Sequence, residues 1–293
     1  MRVSTSMLYN NLLTGITKQQ NIQNLGNAKI ASGTRFQTPA QAGLDYKISL
    51  DLRHSQLNVQ SSIDAITTVE SRLSMSQTLL NDMSNVMARA GTLAVQQSSV
   101  QMGASERQTA LQEMLHLTNQ FLSDSNQQWQ GQALFAGTAV DQQAFTSDAL
   151  GNVSYTGSAQ DRVVSVSANQ QVVSNIRGDN PAFGAAFTAM QDFKTALTNN
   201  DSAAIQASLG ALNAAGNGMI DLTADAGARL KAVQISKVSY EDMKLNLDQR
   251  LNTHEAADIP TVVAELQQSS IALQAAYSQV AQIKSLSLIN FLR

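Results

Sequence analysis

Cysteine is absent from the 293 residues, so neither disulfide staples nor thiolate metal sites are open to this chain. Proline occurs only three times, which leaves room for long uninterrupted helices. Aromatic residues make up 5% and charged residues 14% of the chain. A compact, aromatic-rich enzyme core is therefore not suggested, and Gln, Asn, Ser and Thr supply the polarity instead, a surface suited to contact with copies of itself. No stretch approaches about 18 consecutive apolar residues, so no membrane-spanning helix is expected. The start, Met1-Arg2-Val3-Ser4-Thr5-Ser6-Met7-Leu8-Tyr9, lacks the apolar run of a secretory signal. Export, where it occurs, is expected to proceed without cleavage of a signal peptide.

Acidic residues are missing from one region in particular. Residues 1–44 hold Arg2, Lys18, Lys29 and Arg35 and no acid, and residues 261–293 add Glu265, Lys284 and Arg293; the ends carry +5 and the rest −8, against a net −3. No Lys/Arg cluster is dense enough for a nucleic-acid footprint, so no nucleic-acid partner is expected.

What is present is heptad spacing. In Ile259–Arg293, Leu266, Leu273 and Val280 recur every seven residues, with Val262, Ala276 and Ile283 at the complementary positions and Ser269 interrupting. Ordering such a segment costs roughly 1–2 kcal/mol per residue in backbone entropy, and each large side chain returns only about 1.5–3 kcal/mol on full burial. The helix needs a partner. Residues 5–31 offer an equally thin stripe of Leu8, Leu12, Ile16, Ile22 and Leu25, ended by Ser32-Gly33-Thr34-Arg35-Phe36-Gln37-Thr38-Pro39.

Between these ends, Leu52, Val59, Ile66, Leu73, Leu80, Met87 and Ala94 sit seven apart without a miss, and predict a helix from Ile48 to Ala94 about 70 Å long. A capping box at Ser105 and Gln108 predicts the next helix, with Leu111, Leu115, Leu122 and Trp129 on one stripe. Residues 131–178 then change character: Leu134–Thr138, Asn152–Gly157, Val163–Ser167 and Gln171–Val173 read as short strands between Gly, Asp and Asn turns. Pro181 opens a further helix with Phe183, Phe187, Met190 and Leu197 on one face. A short helix capped by Asp201 and Ser202 is expected to stop near Gly216-Asn217-Gly218, followed by a long one to about Asn252.

Catalytic chemistry is hard to assemble from these residues. Glu113 and His116 form one Glu-x-x-His, half of what a di-iron bundle requires, and His54 and His254 lack a Glu three residues before them. No metal site, cofactor site or nucleophile set is expected.

The residues Ile30-Ala31-Ser32-Gly33-Thr34-Arg35-Phe36 with Pro39, and the closing Ala275-Ala276-Tyr277-Ser278, Lys284 and Ser287-Leu288-Ile289-Asn290-Phe291-Leu292, resemble the conserved ends of the bacterial flagellin family. Gly227-Ala228-Arg229 resembles the start of that family's last rod helix, and Leu134–Thr138 with Tyr155-Thr156-Gly157 is similar to its hook-associated, hook–filament junction branch. Gln41-Ala42-Gly43-Leu44 departs from the acidic turn common in relatives. The resemblance implies terminal segments that are disordered in the monomer and pair into a coiled coil in the assembled tube. It implies export from the cytoplasm through the type III apparatus without a cleaved signal, a cytoplasmic export chaperone on the C-terminal segment, and an extracellular place in the flagellum.

The resulting expectation is a mainly α chain: an elongated antiparallel helical rod and coiled coil with a small β-rich insertion. Its parts are terminal assembly segments at 1–44 and 256–293, a helical rod at 45–130 and 181–255, and a β-rich domain at 131–180. The function expected is a structural, non-enzymatic subunit joining hook to filament, with no cofactor and no membrane insertion. It would form a homo-oligomeric ring or tubular layer beside a neighbouring hook-associated protein and flagellin. The residues expected to drive assembly are Leu8, Leu12, Ile16, Ile22, Leu25, Leu266, Leu273, Val280, Ile283, Leu288 and Phe291. A minor flagellin forming filament, a helical-bundle adhesin or sensor, and an oxidative bundle enzyme are the alternatives.

Overall fold

The computed structural model describes residues 2–99, 101–167 and 170–291, with side chains described between 7 and 283. Helices α1 (Arg2–Ser32), α2 (Pro39–Ala42), α3 (Leu44–Gln97) and α4 (Ala104–Ser125) come first. Six short strands follow: β1 (Gln128–Trp129), β2 (Gln132–Ala133), β3 (Phe145–Ser147), β4 (Val153–Tyr155), β5 (Val163–Ser167) and β6 (Gln170–Val173). The chain closes with α5 (Pro181–Thr198), α6 (Ser202–Glu255) and α7 (Ile259–Phe291). It divides into two compact units, Met1–Leu57 with Lys244–Arg293 and Asn58–Met243.

In the second unit the heptad stripe of α3 becomes the core. Ile66, Leu73, Leu80, Met87 and Ala94 are at most 1% exposed, and the second seam position supplies Val69, Met83 and Ala90 at the same depth. The six large side chains among them, buried this completely, contribute on the order of 10 kcal/mol. Leu80, Met83, Met87, Ala90 and Ala94 share one cluster with Met114 and Phe121 of α4, Met190 and Phe193 of α5, and Ile205, Leu212 and Met219 of α6. The few aromatics are concentrated rather than spread: Phe121 meets Phe187 at 5.0 Å, and Phe145 stands 5.3 Å from both Phe183 and Phe187. At these separations ring pairs add about 0.5–1.5 kcal/mol each beyond area burial.

The strands form three separate antiparallel pairs, β1 with β2, β3 with β4 and β5 with β6. None could stand alone at this length. The β5–β6 pair is held by Val164, Val166 and Val172 against Ile66, Val69 and Leu73 of α3 and Val233 of α6.

Four expectations are corrected here. Leu134–Ala136 is not a strand; it is a fully buried segment after β2, and a short apolar run looks the same in sequence whether it pairs with a strand or plugs a core. Trp129 lies in β1 rather than on α4, which ends at Ser125, and the backbone cap of α4 is Gly103 instead of Ser105. Most consequentially, α6 runs unbroken through Gly216-Asn217-Gly218. A Cβ at Gly216 would lie 3.7 Å from Met87 Cβ, and one at Gly218 would lie 3.3 Å from Ala182 Cβ. At Gly218 the close approach to Ala182 offsets part of the cost of about 1 kcal/mol per helical glycine, whereas the Gly216 contact is an ordinary one.

Candidate assembly interface

The first unit brings the two ends of the chain together. Both α1 and α7 are helical, and they pair antiparallel: Gln20 Nε2 donates to Tyr277 Oη at 3.0 Å, Ser269 Oγ donates to the Gln19 carbonyl at 3.2 Å, and Gly26 lies under Leu266. A Cβ on Gly26 would come within 2.7 Å of Leu266 Cδ2 and 2.9 Å of its Cγ, so the helices approach here only because residue 26 has no side chain. Ser269, an interruption of the seam in sequence, is fully buried and satisfied by the partner helix's backbone.

Where the chain turns at each end, a second set of contacts fastens the pair. Gly33 adopts a positive φ of 68°, the left-handed conformation in which glycine carries no Cβ penalty. Beyond it Thr34 bridges Ala256, Arg35 N donates to the Glu255 carbonyl at 2.6 Å, and Ala257 N donates to the Gly33 carbonyl at 2.9 Å. The Glu255 carboxylate, on a residue 8% exposed, accepts from Ser49 and, at 3.0 and 2.7 Å, from Nε and Nη2 of Arg53. Charge-assisted, two-pronged contacts of this kind are the stronger class of hydrogen bond. The Arg53 guanidinium is held above its ordinary pKa, first by its hydrogen bond to Glu255. Phe36 is 7% exposed and stacks edge-on against Tyr46 and His254, while His254 Nε2 lies 2.9 Å from the Asp45 carbonyl. From sequence, Gly33 was legible as the end of the first helix, and Arg35 and Phe36 as part of that ending and of the family likeness. Glu255, Arg53 and Ser49 were missed altogether, because nothing local marks an acid that meets its partners from about 200 positions away.

Of the residues named from sequence, Ile16 and Leu273 are buried between α1 and α7, joined by Val262. Leu12, Ile22, Leu266, Val280 and Ile283 are half-buried. Leu8 and Leu25 remain 54% and 45% exposed. Leu288 and Phe291 lie outside the residues whose side chains are described. Met7, Leu13, Ile30, Val263, Ile271 and Tyr277 are exposed as well, Met7 and Ile271 to 67%. Among the described residues the pair therefore exposes more large apolar side chains than it fully buries, a pattern that marks contact surfaces.

The single Glu-x-x-His is otherwise engaged: Glu113 Oε1 accepts from Arg89 Nε at 2.6 Å, on a largely exposed surface. Among the described residues no three of His, Asp or Glu are placed to hold a metal ion, and no helix is long and apolar enough to cross a membrane.

Residues 3–140 match the model of the bacterial flagellin N-terminal helical region. Among solved structures, a protein of Vibrio parahaemolyticus described as a flagellar hook-associated protein superposes with a TM-score of 0.66 at 18% identity, over 74% of this chain and 100% of that one. Bacillus cereus FlgL gives 0.62 at 19%, over 69% and 99%. The flagellar junction protein FlgL of Legionella pneumophila gives 0.58 at 14%, over 69% and 98%. At these identities the likeness establishes a shared fold. A comparison with curated proteins gives no match.

Proposed function

We propose that this chain, whose residues 3–140 carry the bacterial flagellin N-terminal helical region, is a structural subunit of the flagellum that joins hook to filament and catalyses nothing. The carrying observation is the α1–α7 pair, which ties the two ends together and presents Met7, Leu8, Leu13, Leu25, Val263 and Ile271 to solvent. In a tube built from such subunits these side chains are covered by sister molecules and by the neighbouring hook-associated protein and flagellin. The junction role, rather than filament formation, is supported by the likeness in fold to solved hook-associated and junction proteins. Before assembly the ends gain too little from each other to stay ordered, which keeps the subunit from polymerising in the cytoplasm and suits it to unfolded export through the type III apparatus. A chaperone covering residues 260–293 serves the same end. The assembly residues of this reading are Leu8, Leu12, Ile16, Ile22, Leu25, Leu266, Leu273, Val280 and Ile283, with Leu288 and Phe291.

Electron microscopy of a strain lacking the protein tests the role: hooks without filaments are expected, and restoring a chain truncated after residue 259 is expected to leave them bare. Normal filaments in either case would refute it.

A further inference from the structure

The outer side of β6 is an unfinished sheet edge. Ser174 N donates to the Arg162 carbonyl at 2.8 Å, and Val164 stands opposite Val172 in the antiparallel register. Hydrogen-bonded and non-hydrogen-bonded pairs alternate along such a ladder. Val172 therefore bonds inward to β5, while the N–H and C=O groups of Gln171 and Val173 point away from it. Among the described residues those groups have no backbone partner. Neither proline nor a charged residue lies within Gln170–Val173 to guard the edge in the way exposed edges usually are.

Helix α6 runs beside this edge. Tyr240 Oη donates to Gln170 Oε1 at 3.1 Å, and Arg229 Nη1 donates to the Asn175 carbonyl at 3.3 Å. An extended chain from 170 to 175 and a helix from 229 to 240 both cover about 16 Å, so the strand and the helix lie alongside and antiparallel. Between them is a cleft of about 400 Å³ lined by Gln171, Val172, Val173, Ala232, Val233 and Ser236. Its two charged residues, Arg229 and Asp161, already hold counter-charges, Asp225 at 2.9 Å and Arg177 at 3.5 Å.

We propose that this cleft binds an uncharged, extended segment of another protein, which adds antiparallel to β6 as a third strand. Its backbone exchanges hydrogen bonds with Gln171 and Val173, and a β-branched side chain opposite Val172 enters the cleft toward Ala232 and Val233. The segment is uncharged because the cleft offers no free charge to meet one. Each of the six described strands of this chain already has a partner, so the added strand comes from a segment that has none. The site is independent of the flagellar reading, since it lies within the second unit alone.

The test is an NMR titration of the isotope-labelled full chain with an acetylated and amidated heptapeptide of alternating threonine and valine. Saturable shifts are expected at the amides of Gln171 and Val173 and along residues 229–236. N-methylation of the threonines, which removes the donors opposite Gln171 and Val173, is expected to abolish them; N-methylation of the valines, whose N–H groups face solvent, is expected to leave them. Val173→Pro removes only an outward N–H and is expected to weaken the peptide about tenfold with unchanged melting; should that variant fail to fold, the two methylated peptides decide on the unaltered chain. No shift with the unmethylated peptide, or equal shifts with both methylated ones, would overturn the inference. So would dimers of the free chain that Val173→Pro disperses, since the occupant would then be a second copy.

Discussion

Tyr155 shows how a single side chain ties the β-rich segment down. Its hydroxyl donates to the Ser158 carbonyl at 2.8 Å, its ring lies 5.4 Å from Phe145, and Gly157 and Gly178 make room for it. Burial, reinforced by Asp179, pushes its pKa up from 10.0 to about 12. A group whose folded pKa exceeds its unfolded one contributes stability that is complete below the unfolded value and is lost as pH rises through the folded one. Urea unfolding from pH 9 to 12 is therefore expected to show an alkaline loss of stability that Tyr155→Phe lacks over the same range. Leu73, 0% exposed on the seam, makes the opposite demand, that no charge be placed there. Leu73→Asp is expected to destabilise the second unit by on the order of 4 kcal/mol, read from the urea midpoint; an unchanged midpoint would mean the seam is wet.

At the scale of elements, α1 and α7 approach through Gly26, whereas α6 leaves room for a methyl group at Gly216. The two glycines predict opposite outcomes. Gly26→Val drives its side chain into Leu266 Cγ and Cδ2, so hook-end assembly is expected to fail while the melting of the second unit stays as it was. Gly216→Ala meets Met87 only at ordinary contact distance and is expected to raise stability by about 0.5–1 kcal/mol, as alanine does in a helix interior. The same residues explain what was legible in sequence. The stripe from Val59 to Ala94 could be read because every seventh residue along it is buried. Gly216-Asn217-Gly218 read as a break because local propensity argues for one, and the packing that overrides it comes from Met87 and Ala182, far away in sequence. Leu134–Ala136 was recognisable as apolar but not as a plug, since length and composition fit a strand equally well. At the interface, Ile16 and Leu273 were legible from spacing. Ser269 was not, because its value depends on a carbonyl of Gln19 presented by another helix.

Over the whole molecule, apolar burial is unevenly distributed between the two units. The second closes a continuous core from Leu79 to Ala226, whereas among the described residues the first gathers only Ile16, Phe36, Val262, Leu273 and Leu247 as buried large apolar residues. Glu255, Arg53 and Ser49 fasten the base of the α1–α7 pair, but among the described residues Met7, Leu8, Leu13 and Ile271 further along stay exposed. The central claim is that this remaining surface is completed by sister subunits. Hydrogen exchange followed by mass spectrometry, comparing the free chain with the chain assembled on hook ends, measures it most directly. The account predicts that amides of residues 7–30 and 262–283 exchange in the free chain far faster than those of the 66–94 core, and become protected on assembly. Protection of those amides in the free chain equal to that of the core would contradict it.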